Sequence, residues 1–146
     1  MTDIVKMQES YMLPAYDILK QSIEDCWSYD AFMADFFKAD TIYLASFISG
    51  ELAGFIGALK TLDGLEILNL SVKPEFRKRG IASELIARLK DDFNDAECLY
   101  LEVRSKNTAA LSLYEKCGFT ALGVRKDYYK NPQDNAVIMR FCLNRG

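Results

Sequence analysis

The feature that most constrains the fold of this chain is a strand, a basic loop and a helix that follow one another within residues 65–83. The apolar run 65–72 lies between Gly64 and Pro74, as expected of a strand bounded by turn residues. From Gly80 onward the apolar residues recur at the spacing of one helix face, at Ile81, Leu85, Ile86 and Leu89. The sequence therefore predicts a strand that turns through a short loop into a helix.

The start of this helix is suited to binding phosphate. The first backbone N–H groups of a helix have no internal partner and lie at the positive end of the helix dipole. Arg77, Lys78 and Arg79 precede them, and Gly80 has no Cβ to keep a pyrophosphate away from the backbone. The segment matches neither Gly-x-x-x-x-Gly-Lys-Ser/Thr nor Gly-x-Gly-x-x-Gly, which disfavours nucleotide hydrolysis and dinucleotide binding. A solvated basic turn before an ordinary helix is the alternative interpretation.

The length and composition indicate one globular domain. A chain of 146 residues can bury a core of its own, so we expect a single domain over residues 1–146. No apolar run approaches the ~20 residues that span a bilayer, and the N-terminus, with Asp3 and Glu9, lacks the basic and apolar regions of a signal peptide. We therefore expect a cytoplasmic protein with no membrane partner.

The cysteine, histidine and charge content excludes other classes of function. Four widely spaced cysteines without a Cys-x-x-Cys pair predict neither a disulfide framework nor a zinc site, and a chain without histidine is poorly equipped for metal, so we predict none. The net charge is −3, whereas nucleic-acid-binding proteins are usually basic, so we expect no direct nucleic-acid partner. The acidic balance suits a cationic acceptor such as an amine or a basic peptide. The cysteines are Cys26, Cys98, Cys117 and Cys142.

Apolar periodicity and turn residues predict the element order βααβββαβαββ, a mixed sheet with helices on its faces. Ser28 or Asp30 is expected to cap the second helix, Asn107 or Ser105 the last one, and Gly118 to end it in a left-handed conformation. The predicted strands cover residues 3–7, 41–47, 51–62, 65–72, 98–103, 120–125 and 136–142, and the predicted helices cover 11–26, about 30–37, 80–93 and 107–116.

Two neighbouring strands that both lead into helices predict the position of a ligand site. The carboxyl ends of Glu66–Val72 and Cys98–Val103 create the type of crevice at which open α/β sheets bind ligands. Glu102 is at a strand end, Asn107 is at the helix start, and Tyr114 is two turns along the same helix face. We therefore predict that these three residues lie near the crevice.

Several segments resemble the GNAT superfamily of N-acetyltransferases. Residues 77–82, Arg-Lys-Arg-Gly-Ile-Ala, are similar to the Gln/Arg-x-x-Gly-x-Gly/Ala signature with which that superfamily holds the pyrophosphate of acetyl-CoA. The runs 101–110 and 113–119, the Arg-x-x-Tyr-Tyr pattern of Arg125–Tyr129, and Cys26-Trp27-Ser28 resemble its RimI-type branch, the ribosomal-protein alanine N-acetyltransferases. The likeness is dense between residues 67 and 129.

The resemblance implies a fold, a co-substrate and binding residues. It implies the GNAT fold, a mostly antiparallel central sheet splayed between strands 4 and 5, and acetyl-CoA as co-substrate. It also implies an acceptor at a protein N-terminus, plausibly that of a ribosomal protein, in a groove lined by Trp27 and Tyr129; packing is the alternative role for both aromatic residues. The residues that the resemblance assigns to acetyl-CoA are Leu70, Ser71, Val72, Arg77, Lys78, Arg79, Gly80, Ile81, Ala82, Ser83 and Asn107.

The chemistry of acetyl transfer suggests roles for Glu102 and Tyr114. The attacking amine must be neutral, and without histidine a carboxylate must take its proton, directly or through water. Glu102 is the first choice as general base, with Glu66 as its rival. Tyr114 is a reasonable proton donor to the leaving thiolate, and a free backbone N–H around Leu70–Val72 can stabilise the oxyanion. Each residue also has a structural alternative to a functional role. Glu102 could be a solvated charge and Tyr114 a packed ring. Asn107 could only cap its helix, and Cys117 could be inert and buried.

Other functions remain open at this stage. A small-molecule amine acetyltransferase needs acidic residues in the first helices, for which Glu24, Asp25 and Asp35 are candidates. A protein-lysine acetyltransferase shares the cofactor loop. A non-catalytic CoA-binding regulatory module keeps the loop but acetylates no amine. We expect a monomer or a homodimer.

Overall fold

A computed structural model describes residues 2–22, 27–130 and 132–142. Over these residues the predicted order βααβββαβαββ is confirmed, with short 3₁₀ turns at Glu9–Tyr11 and Pro74–Phe76. The first helix was predicted to reach Cys26, which lies outside the described residues. The elements are β1 (Thr2–Lys6), α1 (Met12–Ser22), α2 (Tyr29–Phe36), β2 (Thr41–Ile48), β3 (Glu51–Lys60), β4 (Gly64–Val72), α3 (Ile81–Asp92), β5 (Cys98–Arg104), α4 (Thr108–Lys116), β6 (Thr120–Lys130) and β7 (Gln133–Cys142).

The strands form one sheet in the order β1-β2-β3-β4-β5-β7-β6. Every neighbouring pair is antiparallel except β4 and β5, which are parallel. The β4–β5 pairing covers only Gly64–Ile67 against Cys98–Leu101, so the carboxyl-terminal halves of the two strands are unpaired with each other. The prediction of a mostly antiparallel sheet splayed between these strands is therefore confirmed.

Two apolar cores hold helices on opposite faces of the sheet. On one face α3 and α4 pack through residues such as Leu85, Ile86 and Tyr114 against inward-pointing residues of β4 and β5. On the other face α1 and α2 pack around Phe32 and Phe55. Because burial of one Leu or Ile side chain contributes about 1.5–3 kcal/mol, the four buried residues of α3 fix that helix firmly on the sheet.

Local signals at the helix ends act as predicted. The Ser28 hydroxyl accepts a hydrogen bond from the Ala31 N–H at 3.1 Å, and the Asn107 side chain accepts one from the Ala110 N–H at 3.1 Å. Both side chains satisfy an N–H group that has no partner within the helix. After α4 Gly118 has φ 95°, the left-handed conformation that glycine adopts without steric cost.

The boundary predicted for the sixth strand was wrong. β6 continues beyond Arg125 to Lys130, and β7 begins at Gln133 rather than at Ala136. Between the pairs Arg125↔Ala136 and Tyr129↔Asp134, β6 has three residues where β7 has one, which makes a wide bulge. Inside the bulge Asp127 has φ 53°, and its N–H donates to the Asn135 side chain at 2.9 Å. The bulge interrupts the period-two alternation by which a strand is recognised.

The expectation of no disulfide framework was also wrong for one pair. Cys98 and Cys142 face each other in the β5–β7 register and form a disulfide with a Cα–Cα distance of 4.0 Å. The two residues are 44 positions apart, and only the antiparallel pairing of β5 with β7 makes them neighbours. Cys117 is a free cysteine, and Cys26 lies outside the described residues. No described helix is long and apolar enough to cross a membrane.

Candidate active site

The basic loop before α3 is held in place by Arg77. The Arg77 Nε donates to the Val72 carbonyl at 3.2 Å, and its Nη2 donates to the Ser22 hydroxyl at 3.3 Å. These bonds connect the loop to the end of β4 and to α1. Lys78 has φ 63°, which is uncommon for a residue with a side chain. The loop is therefore a fixed turn that presents its backbone in one arrangement.

The first turn of α3 offers an open anion-binding surface. Gly80 has φ 83°, and a Cβ placed on it would meet no other atom within 4 Å. The Gly80 carbonyl accepts the Glu84 N–H at 3.0 Å, while the preceding N–H groups of Ile81, Ala82 and Ser83 have no acceptor inside the helix. Backbone donors and the positive end of the helix dipole thus face open space next to the basic residues Lys78 and Arg79, an arrangement that suits an anion such as a pyrophosphate.

The carboxyl-terminal half of β4 presents a free backbone edge. The register with β3 shifts between Gly57 and Ala58, so Leu68 is an extra residue in β4 and makes a bulge. Beyond it, Leu70, Ser71 and Val72 pair with β3 on one side, while the edge that faces β5 has no strand partner. An extended ligand arm can hydrogen-bond to such an edge. Ser71 is 3% exposed, and its hydroxyl has no hydrogen-bond partner among the described residues.

Glu102 lies at the open end of β5 within a charged cluster. Its carboxylate is 3.0 Å from the Nε of Arg125, and the Tyr128 hydroxyl interacts with the same carboxylate. Glu66 is near this cluster on β4. Burial raises the pKa of Glu66, the charge of Glu102 raises it further, and Arg125 lowers it. The two candidate bases therefore share one electrostatic environment.

Tyr114 lies on α4 and is linked electrostatically to this cluster through Tyr129. Its ring is 9% exposed and packs edge-on against Phe119, with 5.7 Å between centroids. Burial raises the pKa of Tyr114 to about 12, with smaller contributions from Cys117 and Tyr129. Burial and the charge of Glu102 also raise the pKa of Tyr129, so Tyr129 couples to Glu102 on one side and to Tyr114 on the other. Tyr114 can hold a proton at any ordinary pH and release it to a strong base.

The end of α4 contacts the first turn of α3. The Cys117 thiol, just after α4, lies 3.9 Å from the Ser83 hydroxyl in the first turn of α3. Residues 4–119 match the family of acetyltransferases described as Acetyltransferase (GNAT) family.

The chain belongs to the GNAT family. It is an acetyl-CoA-dependent N-acetyltransferase, as are its relatives.

This GNAT enzyme is similar to three known acetyltransferases in sequence or structure. It is 32% identical over 121 residues to the N-alpha-acetyltransferase RimI of Mycobacterium tuberculosis, which covers 80% of this chain and 76% of the relative. The crystal structure of the ribosomal-protein-S18-alanine N-acetyltransferase from Escherichia coli superposes with a TM-score of 0.92 at 26% identity, covering 100% of this chain and 96% of the other. Arabidopsis thaliana NAA60 in complex with acetyl-CoA, at 19% identity, 99% coverage of both chains and a TM-score of 0.88, shares the fold.

On the acceptor side, the structure of this GNAT enzyme separates the predicted residues. Trp27 is exposed; its carbonyl accepts a hydrogen bond from the Tyr16 hydroxyl at 2.9 Å, and its ring centre lies 6.5 Å from that of Phe32. Tyr129 instead lies near Glu102, whose charge raises its pKa, and the Arg104 guanidinium stacks 4.2 Å from its ring centre. The two predicted groove residues therefore belong to different elements, the start of α2 and the end of β6.

Asp35, one of the acidic candidates for an amine site, has a structural role. It is 4% exposed, and its carboxylate accepts a hydrogen bond from the Tyr43 hydroxyl at 2.6 Å. Lys38 lies 3.5 Å from the same carboxylate. The carboxylate of Asp35 thus has its partners inside the protein. Glu24 and Asp25, the other candidates, lie outside the described residues.

Sequence reasoning missed the partners of Glu102 in this GNAT enzyme. Arg125 was noted as part of a motif, but nothing in its spacing shows that it forms an ion pair with a residue 23 positions earlier. β7 lies between β5 and β6, so the contact crosses one strand of the sheet. A strand-pairing prediction that put β7 between β5 and β6 is the only signal that could have found it.

Proposed function

We propose that this enzyme transfers the acetyl group of acetyl-CoA to the α-amino group of a protein N-terminus, with an alanine N-terminus of a ribosomal protein as the first candidate. The observation that carries the proposal is the grouping of Glu102, Tyr129 and Tyr114 beside the unpaired half of β4. The printed names of the Mycobacterium tuberculosis and Escherichia coli relatives support the choice of acceptor.

Acetyl-CoA supplies the thioester, and three parts of the chain hold it in this proposal. The N–H groups of Gly80–Ser83 bind the pyrophosphate, assisted by the charges of Lys78 and Arg79. Arg77 acts mainly by fixing the loop, because its guanidinium is already bonded to Val72 and Ser22. The free edge of Leu70–Val72 pairs with the pantetheine arm and directs the thioester toward Glu102.

Glu102 and Tyr114 then serve opposite ends of one proton path. The ammonium of the acceptor gives its proton to Glu102, directly or through water, and the freed lone pair attacks the thioester carbonyl carbon. A backbone N–H of Leu70–Val72 stabilises the oxyanion. When the carbon–sulfur bond breaks, the thiolate takes a proton from the Tyr114 hydroxyl, and the surplus proton on the new amide nitrogen passes through water to the Tyr114 phenolate, which restores the tyrosine. Glu66 remains the alternative base, since burial and the charge of Glu102 raise its pKa and make its carboxylate a better proton acceptor than an ordinary glutamate.

The choice of base favours an α-amine over a lysine. An α-amino group titrates near ~8 and a lysine near ~10.4, so at pH 7.5 the neutral fraction is roughly a hundredfold larger for the α-amine. A carboxylate of modest basicity therefore removes a proton from an α-ammonium group far more readily than from a lysine ammonium group. The internal partners of Asp35 also argue against its use as an anchor for a polyamine.

Mass spectrometry of acetylated products tests the proposal. The enzyme is incubated with acetyl-CoA and three acceptors: a peptide with a free alanine N-terminus, the same peptide with a blocked N-terminus and one lysine, and a polyamine. We expect acetylation of the first peptide on its α-nitrogen, with Glu102→Gln and Tyr114→Phe as slow variants. Preferred acetylation of the lysine or the polyamine contradicts the acceptor assignment, and absence of CoA release with every amine indicates a non-catalytic module.

A further inference from the structure

The carboxylate of Glu102 is already occupied in the free protein. The Arg125 guanidinium lies 3.0 Å away, and the Glu102 side chain is only 21% exposed. The Arg125 side chain is itself 58% exposed, and its guanidinium lies over the Tyr128 ring, 5.6 Å from the ring centre. A cationic acceptor that is to reach Glu102 must therefore replace Arg125, and nothing buries Arg125 so deeply that it cannot move.

A second carboxylate, that of Glu66, feels the charge of the same guanidinium, which lowers its pKa. Glu66 pairs in register with Tyr100, so it lies on the same face of the sheet as Glu102, on the neighbouring strand. Among the described residues Glu66 has no ion-pair partner within 4.0 Å, whereas Glu102 has Arg125. The groups that act on Glu66 are Glu102 from β5 and Arg125 from β6, and Glu66 in turn acts on Tyr128 in the bulge. Within the described part of the chain, these two carboxylates have one ion-pair partner between them, which is Arg125.

We propose that Arg125 is a displaceable counterion, which neutralises Glu102 in the free enzyme and passes to Glu66 when the acceptor ammonium enters. The proposal rests on the proposed role of Glu102. Without acceptor, the two carboxylates and one guanidinium carry a net charge of −1, which attracts one further cation. With the ammonium on Glu102 and the guanidinium on Glu66, each carboxylate has one partner. Arg125 is thus a positioning residue: it neutralises the charge of the Glu102 carboxylate in the free enzyme and makes the site select cationic acceptors.

Steady-state kinetics of four variants test whether the Arg125 guanidinium passes from Glu102 to Glu66. Arg125→Gln removes the competitor, so we expect the acceptor KM to fall by up to about fivefold, the equivalent of the ~1 kcal/mol of an exposed ion pair, with kcat retained. Glu66→Gln leaves Arg125 nowhere else to bind, so the acceptor KM rises. In Arg125→Gln/Glu66→Gln the effect of the second change disappears. Arg140→Gln, an exposed arginine on the same sheet face next to Tyr100, is the matched control and leaves KM unchanged.

Two outcomes overturn the proposal. If Arg125→Gln raises the acceptor KM or lowers kcat, Arg125 only holds Glu102 in place. If Glu66→Gln raises KM equally with and without Arg125, Glu66 acts on the acceptor directly and no transfer takes place. The acceptor used is whichever amine the wild-type enzyme acetylates best. A preference for lysine or polyamine therefore contradicts the proposed function, while the KM pattern on that amine still decides the role of Arg125.

A measurement without substrate completes the test. Since Arg125 lowers the pKa of Glu66, Arg125→Gln moves the titration of Glu66 to higher pH, and carboxyl NMR of the free enzyme follows it. Arg140→Gln leaves that titration in place. A Glu66 titration that does not respond to Arg125→Gln shows that the guanidinium does not reach Glu66, and the transfer is then excluded whatever the kinetics.

Discussion

Replacement of Gly80 by alanine separates the left-handed turn that this residue forms from its proposed role of leaving room for phosphate. Gly50, in the turn between β2 and β3, is a matched control. The two glycines have φ of 83° and 82°, and a Cβ on either would meet nothing within 4 Å. Alanine therefore introduces the same backbone strain and no clash at both positions.

The expected stability loss is small and equal for the two variants. A left-handed residue with a side chain costs about 1–2 kcal/mol. The reduced entropy of the unfolded chain offsets ~0.4–1 kcal/mol of that cost. A net loss of about 1 kcal/mol lowers Tm by roughly 2–4 °C for a chain of this length.

The effect on acetyl-CoA should differ between the variants. A Cβ on Gly80 enters the open space in front of α3 and keeps the pyrophosphate from the N–H groups of the first turn. Loss of one hydrogen bond to a charged group costs ~1.5–3 kcal/mol, so the KM for acetyl-CoA should rise roughly tenfold to a hundredfold in Gly80→Ala. It should stay unchanged in Gly50→Ala.

Calorimetric Tm values and the KM for acetyl-CoA, measured for wild type and both variants, decide the matter. If Gly80→Ala loses the expected stability but keeps its wild-type KM, the phosphates do not bind at the first turn of α3. If both variants lose affinity equally, the effect comes from general destabilisation and not from the space in front of Gly80.

Three further changes test other parts of the structure. Tyr114→Phe keeps the packed ring but removes the proton donor, so kcat should fall by about 10²–10⁴, and because the pKa of Tyr114 is about 12, the wild-type pH profile should show no alkaline decline from this group below that range. Tyr43→Phe removes the buried hydrogen bond to Asp35 and should cost ~1–3 kcal/mol in urea unfolding. Burial raises the pKa of Tyr43 above its ordinary 10.0, so the unfolded chain releases this proton first, and wild-type stability should fall as the pH rises above 10, less steeply in Tyr43→Phe. Cys142→Ser opens a 44-residue loop and should cost ~2–4 kcal/mol in unfolding without reductant, whereas Cys117→Ser, which removes a free thiol, should have no such effect.

The element order and the strand–loop–helix segment before α3 could be predicted because their signals are local. Gly64, Pro74 and Gly80 mark the ends of β4 and the start of α3, and the Asn107 side chain bonds to an N–H three residues away. Turn and cap preferences arise from the conformational freedom and short reach of single residues. Such signals are complete within a few positions of the sequence, so the structure reproduces them.

The features that were missed depend on strand pairing. The Cys98–Cys142 disulfide and the Arg125–Glu102 ion pair both require β7 to lie between β5 and β6. The bulge at residues 126–128 places Tyr128 over Glu102 by breaking the alternation that marks a strand. Register is set by the whole sheet, and neither composition nor periodicity of one segment contains it.

The position of β7 also determines when the Arg125–Glu102 ion pair can form during synthesis of the chain. β5 and β6 leave the ribosome before β7, and a nascent chain that ends before Gln133 has no strand to bridge them. Arg125, Tyr128 and Tyr129 then cannot take their positions beside Glu102, even though the acetyl-CoA loop is already complete. A translating chain would thus acquire its phosphate-binding turn early and its acetyl-transfer chemistry only with its last described strand.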